Sequence, residues 1–82
     1  MEKINNVKDA KKHVNNWCDK FQRTLLDLDD IDNKYLCLTF VKHTMLYQNE
    51  LNDLMNPFEI ACVQTYGSYL EVILYYNRFA KG

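Results

Sequence analysis

From Val7 to Leu28 the apolar residues Val7, Ala10, Val14, Trp17, Cys18, Phe21, Leu25 and Leu28 step by three or four with one adjacent pair, the stripe of an amphipathic helix. Lys8, Lys11, Lys12, Asn15, Asn16, Asp19 and Lys20 fill the other face, and Asn5 or Asn6 can cap the start. The acidic run Asp27-Leu28-Asp29-Asp30-Ile31-Asp32-Asn33 interrupts the stripe and reads as a turn, with Asp29 or Asp30 as an N-cap for the next element. From Ile31 to Met55 one stripe holds Leu36, Phe40, His43, Tyr47, Leu51 and Leu54. A second holds Ile31, Tyr35, Leu38, Val41 and Met45, which predicts a central helix packed on two sides. In Asn56-Pro57-Phe58-Glu59, Asn can cap, Pro suits the first helical position and Glu follows three residues after the cap, so a third helix is predicted to about Phe79. Cys62, Val63, Tyr66, Leu70, Ile73 and Leu74 form one of its stripes, and Phe58, Ala61, Thr65, Tyr69, Val72, Tyr76 and Phe79 the other.

The pattern predicts an all-α fold, a small antiparallel three-helix bundle with helices at about 7–28, 31–55 and 57–79 in a single domain, 1–82. The competing reading makes Tyr35 to Val41 and Tyr69 to Tyr76 paired strands. Their aromatic and β-branched residues favour it, and the lack of an Asn-Gly or Gly-rich hairpin turn counts against it.

Composition narrows the function classes. With 48% hydrophobic and 26% charged residues in 82, the chain is neither disordered nor low-complexity. A net charge of -1 removes the simple electrostatic case for a nucleic-acid or anionic-membrane binder. Cys18, Cys37 and Cys62 cannot all pair within one chain and read as free thiols of a reducing compartment. Without an apolar leader at Met1-Glu2-Lys3-Ile4-Asn5-Asn6 or a run long enough to span a bilayer, a cytoplasmic protein is expected, in the host cytoplasm if phage-encoded. Asn, Lys, Tyr and Ile outnumber Gly, Ala, Arg and Pro by 27 to 8, the bias of an AT-rich genome; short proteins of this kind are often accessory factors of phages or mobile elements.

Catalytic equipment is sparse. The acidic turn fails as a calcium loop, since Ile31 and Asp32 fall where a ligand and a glycine belong. His13 and His43 lie far apart; His13 is expected at the surface and His43 at the edge of an apolar stripe. Ser68 is the only serine, and Gly67 and Gly82 are the only glycines, so neither a nucleophile elbow nor a phosphate-cradling loop can be written. No catalytic residue, cofactor or metal site is therefore expected, and the chain is not expected to be an enzyme.

Two double-striped helices carry more apolar surface than a three-helix core can bury, and the surplus predicts a binding face. Its candidate residues are Phe58, Tyr69, Val72, Tyr76 and Phe79, with Tyr supplying contact area and a polar handle. The expected function is a small non-catalytic protein–protein interaction module, a phage or mobile-element regulator or inhibitor that masks a protein target in defence, transcription or lysis. Self-association as a homo-oligomer, most simply a dimer, fits the same surplus. The alternative is a nucleic-acid-associated accessory protein whose basic first helix touches phosphates through Lys8, Lys11 and Lys12. The charge of +3 over residues 1–24, against -5 over 25–59, favours that alternative, while two arginines in the whole chain count against it.

Overall fold

A computed structural model describes residues 3–77. It corrects the all-α reading: the fold is α+β, with two helices and a four-stranded antiparallel sheet in place of a three-helix bundle. The elements are α1 (Val7–Phe21), β1 (Asp27–Ile31), β2 (Tyr35–Val41), α2 (Gln48–Met55), β3 (Ile60–Tyr66) and β4 (Tyr69–Tyr75). The sheet order is β1-β2-β4-β3, so the connection through α2 carries the chain past β4 to the far edge.

The first predicted helix is present but ends at Phe21, seven residues short of Leu28. Asn6 caps its start by accepting a hydrogen bond from the Asp9 backbone N–H, and Gln22 in the left-handed conformation closes its end. The predicted second helix divides into β2, a loop and the short α2. In β2 the burial alternates strictly, with Leu36, Leu38 and Phe40 buried between more exposed neighbours, and a period of two is a strand's signature. The acidic run is mostly β1, and the turn proper is Asp32-Asn33-Lys34. Asp32 and Asn33 adopt φ of 54° and 56°, which Asx side chains tolerate better than most residues.

The third predicted helix is the hairpin β3–β4. Tyr66 pairs with Tyr69 across Gly67-Ser68, and Gly67 supplies the φ of +58° that this two-residue connection needs. Asn56-Pro57 ends α2 instead of starting a helix. Asn56 is its C-cap, and Pro57, which cannot continue the α2 hydrogen-bond ladder, accepts from the Ile4 N–H at 2.7 Å through its carbonyl.

One face of the sheet carries both helices. Ala10, Val14 and Trp17 of α1 and Leu54 of α2 pack on Leu36, Leu38, Phe40, Val72 and Leu74 in a single core. The Trp17 indole lies 6.1 Å from the Phe40 ring, edge to face, and its N–H donates to the Glu50 carbonyl at 2.8 Å, tying α1 to α2. His13 is half-buried against Phe58, with Nε2 at 3.0 Å from the Leu54 carbonyl oxygen, and is therefore a structural staple between the helices. His43 is exposed in the loop after β2, away from the apolar stripe assigned to it.

Candidate interaction surface

The pairing register places four rows of side chains on the sheet's other face. Across β1, β2, β4 and β3 these are Ile31, Tyr35, Tyr75 and Ile60; then Asp29, Cys37, Ile73 and Cys62; then Asp27, Thr39, Glu71 and Gln64. A shorter row of Val41, Tyr69 and Tyr66 closes the end. None of these residues is buried, and no described element covers them. Large side chains on a sheet face normally meet a second layer, and here, among the described residues, they meet none.

Its two end rows are aromatic, and the rows between them carry three carboxylates, Asp27 and Asp29 on edge strand β1 and Glu71 on β4. The Tyr35 and Tyr75 rings stack with centroids 4.7 Å apart. Tyr66 and Tyr69 stand out at the opposite end, 72% and 48% exposed. Between them Glu71 accepts from Gln64 Nε2 at 3.1 Å and from the Cys37 thiol at 3.5 Å. Partial burial, reinforced by the Glu71 carboxylate, pushes the Cys37 thiol up to about 11, so it is protonated at neutral pH and a poor nucleophile. Asp29 is raised above the ordinary carboxylate range because it shares a hydrogen bond with Asp27 and feels its charge. Neighbouring carboxylates that repel in this way favour a cation brought against them.

The residues expected at a binding face are divided by the fold. Phe58, Val72 and Tyr76 lie in the core, 3%, 0% and 4% exposed, and Tyr69 lies on the open face. Phe79 is outside the described residues. The Tyr76 hydroxyl donates to Asp30, which points to the helix side of β1. Lys8, Lys11 and Lys12 are exposed on α1, so the basic residues and the carboxylates of the open face stand on opposite sides of the molecule. Sequence reasoning missed Tyr35, Tyr75, Asp27, Asp29 and Glu71 as one surface, because only the register brings three separate segments together.

Clefts are small. One of about 190 Å³, lined by His13, Asn16, Trp17, Lys20 and Asp53, falls below the roughly 300 Å³ of an ordinary small-molecule site. Among the described residues no group of three or more His, Cys, Asp or Glu is placed to hold a metal ion, and no helix is long and apolar enough to cross a membrane. Neither a protein-family model, a curated protein nor a solved structure matches the chain.

Proposed function

We propose that the chain is a non-catalytic protein-binding module that masks its target by laying the open face of its sheet on it. The observation that carries this reading is the uncovered face itself, with aromatic end rows and, in the rows between them, three carboxylates: Asp27 and Asp29 on edge strand β1 and Glu71 on β4. Tyrosines supply contact area at low entropic cost, and a carboxylate group selects a target that is basic at the matching position. The preferred target is therefore a protein patch with Lys or Arg between apolar side chains. The AT-rich compositional bias supports an accessory regulator or inhibitor from a phage or mobile element.

The exposed Lys8, Lys11 and Lys12 favour a second reading, phosphate contact through α1. A photo-crosslinking side chain in place of Thr39, at the centre of the open face, separates the two when compared with one in place of Lys11. The first reading expects a discrete protein adduct from the Thr39 position that Asp27→Lys/Asp29→Lys weakens at least tenfold. Adducts formed from the Lys11 position alone, and lost at raised salt, would contradict it.

A further inference from the structure

The two edges of the sheet are built differently. Edge strand β1 carries Asp27, Asp29 and Asp30 in five residues, the charged guard that keeps an edge from pairing with another chain. Edge strand β3, Ile-Ala-Cys-Val-Gln-Thr-Tyr, carries no charge, no proline and no glycine in seven residues, and six of the seven are exposed. The described helices do not cover it on the core side either: the row Leu28, Leu38 and Val72 runs outward to Val63, which is 42% exposed.

We propose that two copies of the chain join edge to edge through β3, antiparallel and centred on Val63, to form one continuous eight-stranded sheet. This register sets Ile60 opposite Tyr66, Ala61 opposite Thr65, Cys62 opposite Gln64 and Val63 opposite its own copy, with no like charges facing. It extends rows that already exist. The partner's Val63 caps the Leu38–Val72–Val63 row on the core side, and the partner's Tyr66 prolongs the Tyr35–Tyr75–Ile60 row on the open face.

The alternatives are poorer. Pairing β1 with its own copy about Asp29 sets carboxylate against carboxylate, and β1 against β3 gives a head-to-tail contact that does not close. The two-fold axis stands perpendicular to the sheet, so both helix layers fall on one side and both open faces join on the other. The dimer thus doubles the surface assigned above to target binding, although its own evidence is the β3 edge and does not rest on that assignment. A single strand pair is a small interface, at or below about 1,200 Å² in total, so association depends on concentration.

Light scattering coupled to size exclusion, run over a concentration series, reads this directly. The expected result is a mass approaching twice the 9.8 kDa chain as concentration rises. Cys62→Lys/Gln64→Lys, which sets like charges across the axis, is expected to remain a folded monomer, whereas Cys62→Lys/Gln64→Glu sets opposite charges there and dimerises. Cys62→Ser/Val63→Cys adds a test that catches weak association. Residues facing each other across an antiparallel pair lie about 4.5–5.5 Å apart at Cα, within disulfide reach, so mild oxidation should trap a covalent dimer. The native Cys62 pair sits diagonally, about 7–8 Å apart, and should not be trapped. A wild type that stays monomeric at its solubility limit with no trapped Val63→Cys dimer would overturn the proposal. So would a wild type that grows into open-ended oligomers, or a Lys/Lys variant that still dimerises.

Discussion

Trp17→Ala is expected to leave the domain largely unfolded at room temperature. The indole is 3% exposed and packs against Phe21 and Phe40 with ring centroids 5.8 and 6.1 Å away. Removing a core aromatic of this size costs about 3–5 kcal/mol, and the Glu50 carbonyl, which accepts the indole N–H, is orphaned as well. Stability of small domains starts at about 5 kcal/mol, so most or all of it is lost. Trp17→Phe keeps much of the volume and gives up the hydrogen bond, at about 1–3 kcal/mol. Urea unfolding followed by far-UV circular dichroism checks the order. A Trp17→Ala midpoint close to that of wild type would mean that α1 does not pack on β2 as described.

The second large effect belongs to Glu50. Its carboxylate accepts from Arg23 Nη2 at 2.7 Å, with the two side chains 10% and 20% exposed, and from the Tyr47 N–H at 3.3 Å at the start of α2. The bridge joins the segment after α1 to α2, and both charges are largely out of water. Glu50→Ala leaves without a counter-charge a guanidinium whose own Nε already lacks a hydrogen-bond partner among the described residues, and removes the cap. The expected cost is about 3–4 kcal/mol, toward the lower part of the range for broken buried pairs because Arg23 keeps some water. Arg23→Met/Glu50→Met should cost less than Glu50→Ala alone, since it removes the stranded charge. Thermal unfolding of the wild type, Glu50→Ala and the double variant is the check; a double variant destabilised as much as Glu50→Ala or more would show that no stranded charge is relieved.

How much of this was legible in the sequence varies by element. In α1 one face is covered and the other wet, so its 3.6-residue pattern stands out and the Asn6 cap marks its start. Strand β4 lies between β2 and β3 with core on one side and an aromatic face on the other. Seven of the eight residues Tyr69 to Tyr76 are therefore apolar or aromatic, and the alternation that marks a strand disappears. An unbroken apolar run can be read with either period, and a three-to-four spacing can be found in it. The paired strands weighed as the competing reading, Tyr35 to Val41 and Tyr69 to Tyr76, correspond to β2 and β4, which do pair.

One turn lay unmarked inside the predicted third helix, and one signal assigned to a helix start marks a helix end. Gly67-Ser68 is a hairpin connection made with a single glycine, and Asn56-Pro57 is a helix stop whose chemistry also suits a helix start. The surplus of apolar surface was argued from two double-striped helices, which the fold replaces with strands and the short α2, and the described residues assigned to it are divided between core and open face. Phe58, Val72 and Tyr76 turn inward, while Tyr35 and Tyr75 turn out to the open face, an assignment that depends on strand register.

The central claim is that the helices cover one face of the sheet and leave the other open. Hydroxyl-radical footprinting of the isolated protein, at a concentration where it is monomeric, tests it at single residues. Strong modification of Tyr66 and Tyr69, intermediate modification of Tyr35 and Tyr75, and protection of Trp17, Phe40 and Tyr76 are the expected pattern. Protection of all four open-face tyrosines in the monomer would contradict it, because that face would then already be covered from within the chain.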